Sequence, residues 1–256
     1  MSKNRVPRVL CLHGAGTNAD IFKTQLAPVT YHLNKTAPID FHFVNGHVEA
    51  PAAPGIAGNY EGPFYRFFNM DETFNYGDGV VVKWPRDSTP NPEEQMREMQ
   101  DRFLKDVDTS PACDLVKAVL ENEDANPFDG ILGFSEGASI AARLLLDASD
   151  KPLKRRPKFA IFLCGIPPIE AELGGIVLAD NTSRRIDLPT AHITGSKDLF
   201  LPAGMALHNL CQKESATKFD HGGGHTLPWG LKQTQGIARA IRATVEKWKT
   251  DDSALS

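Results

Sequence analysis

The run Gly130-Ile131-Leu132-Gly133-Phe134-Ser135-Glu136-Gly137 constrains this chain more than any other. An apolar stretch with strand character ends at Phe134, and residues 138–146 continue with helical spacing. Where a strand turns straight into a helix, only small side chains fit two residues before and two after the turn residue. Such a turn lifts its central hydroxyl to the carboxyl edge of a sheet, beside a helix N-terminus. A bare G-x-S-x-G match arises by chance in roughly one chain in ten of this length, so the flanking strand and helix carry the reading. They make Ser135 a candidate nucleophile in an α/β fold.

The rest of the chain supplies the strands and helices such a fold needs. Short apolar runs predict strands over 8–12, 39–44, 130–134, 158–164, 191–194 and 217–220. Helical spacing is predicted over 20–34, 93–104, 136–147 and 227–249, the last with Ile237, Ile241, Val245 and Trp248 on one face. Strand and helix in alternation imply a doubly wound, mainly parallel sheet with crossover helices on both faces. Near-continuous apolar strands fit a sheet buried on both sides. One domain over 1–256 is the expectation.

Residues 49–91 break this rhythm. They are rich in Pro, Gly and aromatic residues, and eight of the 21 aromatics of the chain lie between Tyr60 and Trp84. Aromatic density argues against disorder, so the stretch reads as a functional insertion over the active site. Aromatic side chains supply apolar surface with a few polar tips, which suits an apolar acyl chain. A self-packed loop covering the sheet edge is the competing reading.

Composition narrows the function classes. The net charge is −4 with 41% hydrophobic and 23% charged residues, which speaks against a general nucleic-acid or anionic-membrane binder. The apolar part of the N-terminus, 9–12, is too short for a secretory signal, and DDSALS at the C-terminus matches no retention signal, so a cytoplasmic location is expected. Cys11, Cys113, Cys164 and Cys211 lie far apart with no CxxC pair and read as buried free thiols; no Cys/His set has zinc-ligand spacing. The basic run 151–158 reads as a solvated loop.

After a G-x-S-x-G nucleophile, the chemistry calls for an acid and then a histidine further along the chain. Asp198 follows the predicted strand 191–194, in the loop at the carboxyl end of the sheet; Asp187 and Asp220 are worse placed. His225 stands in His221-Gly222-Gly223-Gly224-His225, where glycines allow close approach to the serine; His221 is the alternative and is expected to support the loop. His192 and His208 read as packing or surface residues. At the end of the first strand, Leu12-His13-Gly14-Ala15-Gly16 can aim a backbone N–H at a developing oxyanion, with Ala15 and Glu136 as the donor pair. The Glu136 carboxylate is expected in solvent or repelling anionic leaving groups. GxGxxG and GxxxxGK[ST] are absent, which leaves no nucleotide site.

Taken together, LCLHGAGTNADIF, GFSEGA, TGSKD and GGGHTLP, in this order, resemble the fungal serine hydrolase family of the α/β-hydrolase superfamily. The resemblance spans nearly the whole chain. It implies an α/β-hydrolase fold, with Ser135 as nucleophile, Asp198 as acid and His225 as base, and neither metal nor organic cofactor. The stretch PGIAGNYEGPFYRFF resembles the insertion of the branch that releases polyketides, which implies acyl-pocket roles for Tyr60, Phe64, Tyr65, Phe67 and Phe68. The implied activity is hydrolysis of an acyl ester or thioester, with a polyketide or fatty acyl chain on the acyl carrier domain of a polyketide synthase as substrate in secondary metabolite biosynthesis. A small-molecule carboxylesterase, a non-catalytic binder of apolar ligands and an acyltransferase are the alternatives.

Overall fold

The computed structural model describes residues 5–69, 91–104, 107–122, 124–148, 152–171 and 174–254. Elements follow in chain order: β1 (Arg8–Leu12), α1 (Ala19–Thr36), β2 (Asp40–Val44), β3 (Val48–Glu49), β4 (Tyr65–Arg66), α2 (Pro92–Phe103), α3 (Ser110–Leu120), β5 (Gly130–Phe134), α4 (Glu136–Asp147), β6 (Phe159–Leu163), β7 (Ile169–Glu170), β8 (Gly175–Ile176), β9 (Thr190–Thr194), α5 (Leu201–Asn209), β10 (Ala216–Asp220) and α6 (Leu231–Ala254).

Six strands form one sheet in the order β10-β9-β6-β5-β1-β2, and every neighbouring pair is parallel. The expected doubly wound sheet is therefore present, with its chain reversal between β1 and β5. Ladders such as Val9 opposite Gly130 and Leu12 opposite Gly133 align the carboxyl ends of β1 and β5. Sheets of this kind bind their ligands at that edge, where the strand order reverses.

Strand periodicity decides what each side chain touches. Val9 and Cys11 of β1 enter a core with Phe22 and Leu26 of α1 and Ile237 and Ile241 of α6. Leu10 and Leu12 enter the opposite core with Val116 of α3 and Ile140 and Leu144 of α4. Helix α4 is buried from Glu136 through Leu146, and so carries no polar stripe. All four cysteines are free and buried, as expected.

Local chemistry sets the boundaries. The Asn18 side chain caps α1 by accepting from the Ile21 amide at 2.8 Å. Asn91 caps α2 ahead of Pro92 at the first helical position. Helix α6 begins at Leu231 rather than 227, because Pro228 and Gly230 hold the chain out of the helix until then. Helices α3 and α5 and the two short antiparallel pairs, β3–β4 and β7–β8, lie outside the elements expected from periodicity. Within the insertion, 70–90 lies outside the described residues, Phe74, Tyr76 and Trp84 among them, as does Lys151 of the basic run. Among the described residues, no helix is long and apolar enough to cross a membrane.

Candidate active site

Ser135 stands between β5 and α4 at φ 53° and ψ −114°, a conformation uncommon for a residue with a side chain. Such a backbone costs about 1–3 kcal/mol and persists only where the surroundings over-determine it. Here they do. The Ser135 amide donates to Leu163 O at 3.0 Å, and the Ala138 amide donates to Ser135 O at 3.0 Å. A β-carbon on Gly133 would collide with the backbone of Ala138, and one on Gly137 would collide with the carbonyls of Leu12 and His13. Both glycines of the motif are thus required by close approach of backbone.

The chain brings the three expected side chains together from loops 90 and 27 residues apart in sequence. His225 Nε2 lies 2.8 Å from Ser135 Oγ, and His225 Nδ1 lies 2.8 Å from Asp198 Oδ2. The other carboxylate oxygen, Oδ1, accepts from the Phe200 amide at 2.7 Å. The Asp198 side chain is 2% exposed and that of His225 22%, so the acid is shielded and the base reaches solvent. Rings of Phe134 and Phe200 flank the imidazole at 5.3 and 4.8 Å between centroids. This arrangement can pass a proton from Ser135 Oγ to His225 while Asp198 fixes the ring.

The competing acids and bases have other employment. Asp220 accepts from the Ser196 and Gly222 amides at 2.9 and 2.7 Å, and those N–H groups hold its carboxyl below the usual range. Asp187 pairs with Arg156. His221 turns away from the serine: Nδ1 accepts from the Gly223 amide at 3.2 Å and Nε2 lies 3.7 Å from Cys164 Sγ. His192 is buried against Phe162 and His208. In the basic run, Arg155 donates to the carbonyls of Asn122 and Ala125, which ties that loop to its neighbour.

On the other side of the serine, the loop after β1 carries Ala15. Among the described residues, neither the Ala15 nor the Glu136 amide has a main-chain acceptor. His13 braces this loop. Its Nε2 accepts from the Gly46 amide at 2.9 Å, which leaves the proton on Nδ1, facing Gly14 O at 2.7 Å. Burial lowers the His13 pKa to about 4, so the ring is neutral.

The insertion is sewn to both sides of this site. The Gly16 amide donates to Tyr65 O at 2.9 Å, the Tyr65 amide to Thr17 O at 2.6 Å, and the Ala53 amide to Gly16 O at 2.9 Å. Gly16 sits at φ +66° with no room for a β-carbon beside Ala53 N and Pro51 O. Two expectations are corrected here. The Glu136 carboxylate does not face solvent: it is 3% exposed, pairs with Arg66 at 3.5 Å, and accepts from the amides of Phe67 and, at 3.0 Å, Phe68. Burial raises its pKa against the opposing pull of Arg66 and those two amides. Phe67 and Phe68, expected along an acyl pocket, are 0% and 1% exposed and pack into the core on the α4 side. Core packing claims these rings because Glu136 draws their backbone inward. Tyr60, Phe64 and Tyr65 remain partly exposed.

Sequence reasoning missed Cys164. It sits just past β6 at φ 44°, with Sγ close to Asp198 and His225. Nothing in its apolar sequence neighbourhood signals that position. Cys164, Asp198 and His225 form the one triple of metal-type donors among the described residues, within 4.8 Å of one another. These donors are spent on each other: the acid and base share a hydrogen bond, and burial, then the Asp198 charge, keeps the thiol protonated.

With this geometry in view, comparison with known proteins is decisive at the family level. A family model described as "Serine hydrolase (FSH1)" matches residues 1–237. The chain belongs to the FSH1 serine hydrolase family. Within reach of this FSH1 member are "Esterase FPY3" of Fusarium mangiferae, 32% identical over 94% of this chain and 97% of that protein, and "Hydrolase phiM" of Talaromyces stipitatus, 28% identical over 86% and 81%. Among solved structures, Arabidopsis thaliana SOBER1 superposes with a TM-score of 0.53 at 17% identity, covering 94% of this chain and all of that one. A fungal esterase of Rhizomucor miehei gives 0.52 at 14% identity, covering 97% and 76%. At such identities these two likenesses speak for the α/β-hydrolase fold alone.

Proposed function

We propose that this serine hydrolase cleaves an acyl ester or thioester through a Ser135–His225–Asp198 triad and an acyl-enzyme. The two 2.8 Å contacts that join the three side chains carry the reading. Ser135 Oγ attacks the acyl carbonyl as His225 Nε2 takes its proton. Asp198 holds the Nδ1–H tautomer and stabilises the imidazolium. The Ala15 and Glu136 amides receive the developing oxyanion, each such donor being worth about 3 kcal/mol. His225 then protonates the leaving group, and water activated by the same imidazole releases the acid and frees Ser135. We read 1–256 as one hydrolase domain with 49–91 as the insertion over this site.

For substrate, we favour a polyketide or fatty acyl thioester presented by an acyl carrier domain, as in secondary metabolite release. The aromatic insertion and its stitching to the oxyanion loop support an apolar acyl group, and we take the partly exposed Tyr60, Phe64 and Tyr65 as the residues that meet it. A small-molecule carboxylester is the second reading, favoured by the esterase names of the relatives. The four buried free thiols accord with a reducing compartment such as the cytoplasm.

Fluorophosphonate labelling tests the nucleophile: Ser135→Ala is expected to abolish the adduct, and retained labelling would remove Ser135 from its role. Matched acyl-pantetheine thioesters and oxoesters test the substrate. A strong oxoester preference would count against carrier-bound thioesters, and ester formation with added alcohols would reassign the enzyme to acyl transfer.

A further inference from the structure

Cys164 and His221 take no part in the triad described above, yet both are buried directly behind its acid. Cys164 is 2% exposed and His221 5%. Cys164 Sγ lies 3.7 Å from His221 Nε2 and within 4.8 Å of donor atoms on Asp198 and His225. The positive φ of 44° at Cys164 aims this side chain from the end of β6 into the site. The Cys164 amide is fixed by Ile193 O at 2.8 Å, and the His221 amide by Thr194 O at 2.9 Å. The ends of β6 and β10, which flank β9 in the sheet and are both tied to it, therefore deliver the thiol and the second imidazole to one place. Gly195 makes room for the imidazole, since a β-carbon there would press on His221 Cε1 and Gly223 O.

Resting on the triad reading above, we infer that Cys164 and His221 are positioning residues which continue the triad behind Asp198, as a chain of polar contacts from His221 through the thiol to the carboxylate. The direction of donation follows from the contacts. His221 Nδ1 accepts from the Gly223 amide, so the neutral ring carries its proton on Nε2, facing the sulfur. Burial lowers the His221 pKa, against the pull of Asp220 and Asp198 and with the push of His225, so the ring is neutral. The thiol is held protonated by burial and by Asp198, the charged side chain acting on it, and its S–H is available to that carboxylate. The Thr226 backbone, one residue past His225, touches the sulfur as well. Asp198 thus has two hydrogen-bond partners, His225 and the Phe200 amide, with the thiol within 4.8 Å behind it. A thiol is a weak donor. It excludes water from the back of the carboxylate while leaving most of the negative charge to the His225 side.

Two substitutions at Cys164 pull this balance in opposite directions. In Cys164→Ser, a stronger donor draws charge away from the His225 contact. The acid limb of the kcat/KM–pH profile is expected to move down by about half a pH unit, and the far-downfield His225 Nδ1 proton resonance to move upfield. In Cys164→Ala the donor is gone, and both readouts are expected to move the other way. A merely structural role lowers stability and activity in both variants without opposed shifts. Shifts of the same sign, or none, overturn the inference. Thermal melts establish that each variant is folded at the assay temperature. Should Cys164→Ser not fold, His221→Asn carries the same test: it unpolarises the thiol and is expected to shift both readouts in the direction of Cys164→Ala, no shift counting against the inference. Fluorophosphonate labelling of wild-type Ser135 keeps the two claims apart. Labelling without opposed shifts sinks this inference alone, and absence of labelling sinks the triad and this inference with it.

Discussion

Removing the Glu136 carboxylate tests the most consequential contact that sequence patterning did not anticipate. One oxygen of this side chain satisfies the amides of Phe67 and Phe68, and the other faces Arg66 at 3.5 Å. In Glu136→Ala, two buried amides lose their acceptor. A buried donor left unsatisfied costs about 1–3 kcal/mol, so the pair contributes roughly 2–6 kcal/mol. Arg66 is also orphaned, but its side chain is 15% exposed and can turn to water, so no separate charge penalty is added. A working value of about 3 kcal/mol corresponds to a melting temperature roughly 6–12 °C lower for a chain of this size. Glu136→Gln keeps an acceptor oxygen at the same reach and is expected to lose less than half of that. Because the strap 63–68 also holds Gly16 and Thr17, kcat on a short-acyl ester is expected to fall about tenfold further in Glu136→Ala, measured well below the melting temperature. Thermal melting by circular dichroism decides the matter. An alanine variant melting within about 2 °C of wild type would refute the claim that this carboxylate satisfies the strap.

Other perturbations probe the elbow, the acid and the buried histidines. Gly137→Ala drives a β-carbon into the carbonyls of Leu12 and His13, and is expected to cost several degrees of melting temperature; a neutral result would mean β1 and α4 can part. Asp198→Asn keeps the shape but favours the wrong His225 tautomer, with kcat expected to drop about 10⁴-fold, whereas Asp220→Asn, which only loosens a turn, is expected to stay within about tenfold of wild type; turnover assays separate them. Burial lowers the pKa of His13 to about 4 and of His192 to about 3. Their unfolded counterparts take up protons first, so this stability is complete above pH 6.5 and is lost as pH falls through the range from 6.5 to about 4 and 3. The His13 share is about 3 kcal/mol. Glu136, with its raised pKa, acts in the opposite sense as pH rises above 4.5. Urea unfolding at pH 7, 5 and 4 is expected to show the acid loss, with a shallower slope in His192→Phe.

What could be read from the sequence shared one property: it depended on local pattern. Strand β6, expected over 158–164, spans Phe159–Leu163, because an uninterrupted apolar run between polar turns has little choice of boundary. The meeting of Ser135, Asp198 and His225 was legible because each follows a strand end, and a parallel sheet gathers its strand ends on one edge. Helix α5 was not, since 201–209 is apolar nearly all round and its period is weak beside the loop chemistry of Asp198. The Glu136 carboxylate and Cys164 were missed for a different reason. Their partners, 66–68 and 221 respectively, are fixed by packing between segments far apart in the chain, and no spacing rule reports such a contact. Phe67 and Phe68 were misplaced by the same blindness: aromatic density marks an insertion, but only its anchoring tells which rings face inward.

Reach, rather than charge alone, is what the position after Ser135 demands. Helix α4 fixes the Glu136 backbone, whose amide is the proposed oxyanion donor, while the strap amides lie far enough away that a two-methylene stem spans the gap. Glu136→Asp therefore separates the two properties. Aspartate restores the negative charge opposite Arg66 but is one methylene shorter, about 1.5 Å, which takes its oxygens out of hydrogen-bond range of Phe68 N unless the strap shifts. If amide satisfaction governs, Glu136→Asp melts close to Glu136→Ala and below Glu136→Gln, although glutamine carries no charge. If pairing with Arg66 governs, the order reverses and aspartate melts above glutamine. Burial raises the Glu136 pKa against Arg66 and both amides together, so the charge balance does not choose between the two orders; geometry favours the first, since one oxygen accepts from both strap amides, Phe68 N at 3.0 Å, while Arg66 stands off the other at 3.5 Å with part of its side chain in reach of water.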